Sequence, residues 1–127
     1  MAVKDFRELQ VYRMAYSAAM RIYELSRLFP PEEKYALPSQ MRRSSRSVCN
    51  NMAEAWRTRR YEAAFISKLS DSDSEAAETS VSLDFARDCG FISGDEHSRL
   101  IDQYEQICRM LTSMMRDAER WCKPPSP

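Results

Sequence analysis

Apolar residues recur every three or four positions over four long segments of this 127-residue chain, and this spacing predicts four α-helices. The first segment runs from about Phe6 to Leu28, the second from about Leu37 to Trp56, and the third from about Tyr61 to Cys89. The fourth begins near Ser93. Because only short links separate consecutive segments, we predict an all-α fold, an antiparallel up-down four-helix bundle.

Local signals support the ends of these helices. Phe29 precedes two prolines and should end the first helix, because a residue before proline is disfavoured in the α region. Pro38 suits the first turn of the second helix, where its missing N–H costs nothing. Gly90 can supply a left-handed C-cap for the third helix. Ser93 and Glu96 are expected to form a capping box that opens the fourth helix.

The middle of the third helix, SDSDSEAAETSVS, is its ambiguous part, because Ser and Asp are weak helix formers. On composition alone it could be a loop. The positions at helical spacing nevertheless carry only apolar or small residues: Phe65, Leu69, Ser72, Ala76, Thr79, Leu83 and Ala86. We therefore predict one continuous helix, whose small residues would let a neighbouring helix come close.

The fourth helix carries a wide apolar surface made of two rows. The first row repeats by four and three: Leu100, Tyr104, Ile107, Leu111, Met114, Ala118 and Trp121. The second repeats by seven: Ile101, Cys108, Met115 and Cys122. Three heptads favour coiled-coil-like packing. The width leaves two interpretations open, a subunit interface or a central position within one bundle.

Length and composition indicate one domain over residues 1–122, followed by a Pro-rich tail at 123–127. No apolar run is long enough to cross a membrane, and the first residues lack the apolar segment of a signal peptide, so we expect a cytoplasmic protein without a membrane partner. The four cysteines, Cys49, Cys89, Cys108 and Cys122, contain no Cys-x-x-Cys pair. We expect reduced and mostly buried thiols.

Charge is balanced overall but unevenly distributed. The chain has 19 basic and 19 acidic residues. Residues 1–60 carry twelve basic and six acidic side chains, a net +6, and residues 61–127 carry seven and thirteen, a net −6. The neutral total argues against a strongly basic nucleic-acid binder. The split favours basic and acidic helices that pair within one subunit or between subunits.

The second helix concentrates the positive charge. The stretch 37–60 holds six arginines and one acid, Glu54, and on a helical projection its apolar residues face away from most of these arginines. Trp56 and Tyr61 lie beside the last of them, and guanidinium groups next to aromatic rings suit phosphate backbones and unpaired bases. The candidate binding residues are Arg42, Arg43, Arg46, Arg57, Arg59 and Arg60. The competing interpretations are a solvated basic face and an acidic counter-surface formed by Asp71, Asp73, Glu75 and Glu78.

Little in the sequence points to catalysis. His97 is the one histidine and has no Glu three residues before it, so we expect no di-metal carboxylate site. No Cys/His pair has zinc spacing. Gly90 and Gly94 cannot form a phosphate loop or a nucleophile elbow. We expect no enzyme activity, no cofactor and no metal, with His97 on the surface near a helix N-terminus; an unrecognised enzyme, for example with a Cys–His nucleophile, remains a third interpretation.

Several short motifs resemble a known family. Residues 41–43 (MRR), Ser47 and residues 51–54 (NMAE) resemble the IRR…S…NIAEG pattern of the four-helix bundle family encoded in 23S rRNA intervening sequences, also labelled S23 ribosomal protein. Three further segments resemble other motifs of this family: residues 6–12, residues 29–37, which include Tyr35, and residues 83–92. Ala55 stands where the family often has glycine, and Cys49 where it often has proline. Both departures favour a longer and straighter second helix.

The resemblance implies a cytosolic bundle that assembles into a homopentameric ring, with no established enzyme activity. It also implies a relationship to the accessory protein of diversity-generating retroelements, and RNA or a ribonucleoprotein as partner. A ring is a head-to-tail assembly, which agrees with the +6/−6 split. Two hypotheses follow. The six arginines bind RNA or a ribonucleoprotein, or they pair with the four acids in a protein-interaction scaffold.

Overall fold

Four long helices make up most of the protein, whose structure is a computed structural model that describes residues 3–33 and 36–122. They are α1 (Gln10–Ser26), α2 (Leu37–Arg57), α3 (Glu62–Asp88) and α4 (Gly94–Arg116), and a short α5 (Ala118–Cys122) follows. Two 3-10 turns, Phe6–Glu8 and Pro31–Glu33, precede α1 and α2. The predicted all-α fold is confirmed. The predicted tail at 123–127 and the family position Tyr35 lie outside the described residues.

Each long helix packs against two others, so that α1 and α3 lie on one diagonal of the bundle and α2 and α4 on the other. The contacts run in opposite directions along neighbouring helices. The Met14 carbonyl of α1 accepts a hydrogen bond from Gln103 of α4, and Arg21, later in α1, bonds to Glu96, which is earlier in α4. Together with the short connections, this antiparallel order confirms the up-down four-helix bundle.

The apolar rows predicted from the sequence form the core. In α1 the apolar residues at three- and four-residue spacing are buried: Val11, Ala15, Ala18, Ile22, Leu25, and Phe29 just beyond the helix. Tyr16, the residue after Ala15, is 54% exposed. In α4 the first row is buried from Leu100 to Ala118, while the second row is half-buried and packs against the same core. Packing within the bundle thus accounts for most of the wide apolar surface of α4.

α3 runs without interruption through its Ser- and Asp-rich middle, as predicted. The positions that face α2 there are small and buried, including Ser72, Ala76 and Thr79. Ser72 Oγ donates to the carbonyl of Val48 across the interface at 2.7 Å. A short side chain reaches a neighbouring backbone only where two helices lie close together. The small residues of α3 therefore allow the close approach of α2, as predicted.

At the ends of α3 and α4, one prediction from the sequence is confirmed and two differ from the structure. Gly90 ends α3 at φ 78°, and the N–H of Phe91 donates to the Ala86 carbonyl at 2.8 Å, which forms a Schellman cap. Ser93 caps α4 by accepting the N–H of Glu96 at 3.1 Å. The expected capping box is incomplete, because the Glu96 carboxylate bonds to Arg21 instead. The chain also turns after Arg116, so the last apolar residues of the two rows belong to α5.

A full capping box forms at a place where none was expected. Asp5 caps the turn Phe6–Glu8, and the Glu8 carboxylate accepts the Asp5 N–H at 2.7 Å. Leu9 is extended, at ψ 128°, and separates this turn from α1. The first helix therefore begins at Gln10 rather than Phe6, because the Asp5–Glu8 box closes a turn of its own.

Candidate nucleic-acid interface

α2 leaves only a narrow side to solvent, because it packs against both α1 and α3. Arg46, Asn50 and Arg57 are exposed and fall within about 40° of one another around the helix. Arg46 and Arg57 are eleven residues apart, which places them about 16 Å apart along the helix axis. Arg46 and Arg57 therefore lie along one face of α2, and this face remains exposed to solvent because α1 and α3 pack against the other sides of the helix.

The turn after α2 carries a further exposed arginine and an exposed aromatic ring. Arg57 and Arg60 are exposed, and the Arg60 guanidinium carbon lies 5.5 Å from the ring centroid of Tyr61, which is 63% exposed. Throughout residues 3–33 and 36–122, no carboxylate lies within 4.0 Å of Arg46, Arg57 or Arg60. We call Arg46, Arg57, Arg60 and Tyr61 the basic stripe. It offers three charges without a counter-ion and one accessible ring.

Arg42 and Arg59, two other predicted site residues, make contacts within the bundle. Arg42 was expected on the exposed side, but it is half-buried and its Nε donates to Ser26 Oγ at 2.7 Å. Arg59 is also half-buried; it donates to the Trp56 carbonyl at 2.9 Å and stacks 3.9 Å from the Trp56 ring centroid. Both guanidinium groups are oriented by contacts that the helical projection could not show.

Arg43 pairs with acids of α3. Its guanidinium lies 3.4 Å from Glu75 and 3.3 Å from Glu78. Burial and the neighbouring Glu78 raise the pKa of Glu75, against the opposing effect of Arg43. One arginine therefore faces two carboxylates, and this part of the acidic counter-surface is used inside the subunit.

The other two acids of that predicted counter-surface lie near groups other than arginine. Asp71 lies 3.9 Å from Lys68 Nζ, and the same ammonium lies 2.9 Å from Glu54, the one acid of α2. Burial raises the pKa of the Cys108 thiol to about 12, and the neighbouring Asp73 carboxylate contributes to this rise. The four acids do not form one surface that matches the six arginines.

His97 was predicted on the surface, and this prediction is wrong. The side chain is 8% exposed, and its Nε2 lies 2.7 Å from Asp84 Oδ1. Arg87 Nη1 lies 3.3 Å from the same ring nitrogen. The fourth residue of α4 faces the last turns of α3, so packing buries it. Its partners in the described structure are a carboxylate and a guanidinium rather than a thiol.

The remaining candidate chemistry is sparse. All four cysteines are free; Cys49 is buried, Cys108 and Cys122 are half-buried, and Cys89 is exposed, which corrects the expectation of mostly buried thiols. Burial raises the pKa of Cys49 to about 11. Within the part of the chain that the structure describes, no three His, Cys, Asp or Glu side chains are grouped to hold a metal ion. Over the same residues, none of the helices combines the length and apolar character that a membrane crossing requires.

Comparison with known proteins connects this fold to one family. The family model of the 23S rRNA-intervening sequence proteins matches residues 7–113. Among solved structures, the chain is similar to a protein of unknown function from the S23 ribosomal protein family of Bacteroides thetaiotaomicron VPI-5482. The TM-score is 0.76 at 26% identity, over 84% of this chain and 95% of that chain. No curated protein matches the chain.

Proposed function

The chain belongs to the family of 23S rRNA-intervening sequence proteins, and on that premise we propose that it is a non-enzymatic, homo-oligomeric cytoplasmic protein that binds RNA, free or in a ribonucleoprotein, through the basic stripe. One observation carries the proposal. Among the described residues, Arg46, Arg57 and Arg60 are exposed without a carboxylate partner, next to an exposed Tyr61. When a guanidinium group without a carboxylate partner binds a phosphate backbone, counter-ions are released from the nucleic acid, and this release favours binding.

The chemistry of the stripe favours single-stranded RNA over a duplex. Tyr61 offers a ring on which an unpaired base can stack, and such stacking tolerates any sequence. The two arginines of α2 lie about 16 Å apart, a span of several nucleotides in an extended strand. Since the whole chain is neutral, only local contacts attract RNA, and the binding should be weak at physiological salt.

A charge-matched comparison tests this assignment. Fluorescence anisotropy of a labelled single-stranded RNA should show strongly weakened binding for the triple variant Arg46→Gln, Arg57→Gln and Arg60→Gln. The control triple Arg13→Gln, Arg99→Gln and Arg109→Gln removes the same charge from exposed positions on α1 and α4. Equal losses in both triples would show that net charge, rather than this stripe, governs the binding.

Self-assembly is supported by two exposed apolar pairs on diagonal helices. Tyr16 and Met20 lie one turn apart on α1, 54% and 45% exposed; Val81 and Phe85 lie one turn apart on α3, 54% and 59% exposed. Two different patches on opposite sides of a subunit suit a head-to-tail contact, which closes into a ring. Asp84 and Asp88 flank the α3 pair, and Arg13 precedes Tyr16 by three residues on α1. Five subunits is the number that the family resemblance implies.

The second candidate function is a protein-interaction scaffold in which basic and acidic helices pair. The contact of Arg43 with Glu75 and Glu78 favours it. Arg43 is 62% exposed, and exposed pairs of this kind add little to stability. Charge reversal, Arg43→Glu, separates the two functions. The scaffold predicts a less stable subunit, in which three carboxylates meet, or a smaller assembly, whereas RNA binding through the basic stripe predicts an unchanged assembly and an unchanged RNA affinity.

A further inference from the structure

A cleft of about 360 Å³ lies where α1 ends and α2 begins, away from the basic stripe. Its walls are of two kinds. The apolar wall consists of Phe29, Pro30, Pro31 and Pro38. The polar wall consists of Ser26, Arg27 and Arg42.

Arg42 is held in a fixed orientation at this cleft. Ser26 is 4% exposed; its hydroxyl donates to the Tyr23 carbonyl at 2.8 Å and accepts from Arg42 Nε at 2.7 Å. The Arg42 guanidinium carbon also lies 5.1 Å from the ring centroid of Tyr23. These contacts use Nε alone. In the described structure the two terminal nitrogens of Arg42 make no hydrogen bond, so their N–H groups remain available in a planar fork.

Arg27 brings a second positive charge to the same place. Its guanidinium carbon lies 5.8 Å from the ring centroid of Tyr23, the same ring that Arg42 contacts. Over residues 3–33 and 36–122, no carboxylate lies within 4.0 Å of either guanidinium. The C-terminal dipole of α1 offsets only part of this charge. By contrast Arg43, the next residue of α2, has two carboxylates.

The start of α2 adds positive potential to the cleft. Ala36 occupies its N-cap position and gives no side-chain cap, and Pro38, in the first turn, has no N–H to donate. The helix therefore begins with uncapped amide groups and the positive end of its dipole near two unpaired guanidinium groups. A bound anion would reduce the repulsion between these like charges.

We propose that this cleft binds a small phosphomonoester. The phosphate would accept from the terminal nitrogens of Arg42 and from Arg27, since a planar guanidinium fork matches two phosphate oxygens. The apolar body of the ligand would lie against the prolines. This site goes beyond the proposed RNA binding. Arg27 follows the last residue of α1 and lies outside the basic stripe, and Arg42 is directed toward α1.

Isothermal titration at constant ionic strength tests the site, with phenyl phosphate and inorganic phosphate as probes and phenol as the uncharged control. Phenyl phosphate should bind the wild type, and Arg42→Gln or Arg27→Gln should each weaken its affinity by about tenfold or more. Arg46→Gln removes the same charge from an exposed position of α2 and should leave the affinity unchanged. Arg42→Lys should weaken binding as well, because it keeps the charge but loses the fork.

Arg27 is exposed, so its variant should fold as the wild type does even where Arg42→Gln loses stability. The triple variant of the basic stripe should retain phenyl phosphate binding, which separates this site from the RNA proposal. Inorganic phosphate that binds as tightly as phenyl phosphate, and depends on Arg27, would support the site and identify free phosphate as its ligand. The proposal would be overturned if neither phenyl phosphate nor inorganic phosphate bound the wild type. It would also be overturned if Arg27→Gln and Arg46→Gln bound phenyl phosphate with equal affinity.

Discussion

The side-chain oxygens of Ser44 and Thr79 lie 2.7 Å apart in the interface between α2 and α3. Thr79 Oγ1 already donates to the Glu75 carbonyl at 2.8 Å, so its proton is committed and Ser44 must donate across the interface. Ser44 is 2% exposed and Thr79 is fully buried. A hydroxyl pair in the core therefore links two helices that small residues allow to lie close.

Thr79→Val tests the value of this pair, because it keeps the shape of the side chain and removes the acceptor. Ser44 would retain only the longer bond to the Met41 carbonyl, at 3.4 Å. We expect the free energy of unfolding in urea to fall by about 1–2 kcal/mol. Ser74→Ala, an exposed change on the same helix, should stay within about 0.5 kcal/mol of the wild type. Equal stabilities of Thr79→Val and the wild type would show that the pair contributes nothing.

The bond between Arg21 and Glu96, which joins α1 to the start of α4, gives stability a pH dependence. The Arg21 guanidinium lowers the pKa of Glu96 below its ordinary value. Because the folded state favours the charged carboxylate, this contribution is complete above the ordinary pKa of Glu, about 4.3, and is lost as the pH falls through the lower folded value.

Glu96→Gln should therefore be less stable than the wild type at neutral pH, by a few tenths to about 1 kcal/mol for a partly exposed pair. The difference should shrink below about pH 4 in urea titrations. Glu105→Gln, at an exposed position farther along α4, serves as the control and should show no such convergence. A difference that stays constant down to low pH would contradict the assigned cause.

Tyr104 carries a buried hydroxyl without a hydrogen-bond partner among the described residues. The side chain is 1% exposed, and burial raises its pKa. Tyr104→Phe removes the unpaired oxygen and keeps the ring, so the free energy of unfolding should stay the same or rise by up to about 1 kcal/mol. A clear loss of stability in urea would show that the hydroxyl is bonded after all. Tyr104→Ala should lose about 3–5 kcal/mol in either case.

Mixing two variants tests the proposed head-to-tail assembly. Phe85→Glu damages the α3 patch and Tyr16→Glu damages the α1 patch, so each variant alone should be monomeric in analytical ultracentrifugation. An equal mixture should form dimers, because each variant keeps the patch that the other has lost. Leu28→Glu, at an 80% exposed position outside both patches, should assemble as the wild type does. Variants that assemble normally would rule out these two patches as the interface.

The sequence was sufficient for the fold because helical spacing determines which residues are buried. It also predicted that α3 continues through its Ser- and Asp-rich middle, since the core-facing row is small or apolar. The capping box that opens the chain was missed although its signal was present: Asp5 is followed three residues later by Glu8, the ordinary spacing of that motif. The expected box at Ser93 stayed incomplete because Arg21, distant in sequence, binds the Glu96 carboxylate.

The sequence could not show which arginines are available. Arg43 and Arg46 lie one turn apart on the same side of α2, yet Arg43 meets Glu75 and Arg46 meets no carboxylate in the described structure. The difference depends on how α3 is placed against α2, which no local pattern encodes. The burial of His97 has the same origin, because it depends on the corner between α3 and α4.

The salt dependence of RNA binding tests whether the basic stripe binds the phosphate backbone. It is monitored by fluorescence anisotropy for the wild type and for the triple variant Arg46→Gln, Arg57→Gln and Arg60→Gln. On single strands each neutralised phosphate contributes about 0.7 to the slope of log affinity against log salt. The wild type should therefore give a slope steeper than that of the triple variant by about 2, with residual binding by the variant measured at low salt. Identical slopes, or no binding by the wild type even at low salt, would contradict RNA binding through the basic stripe.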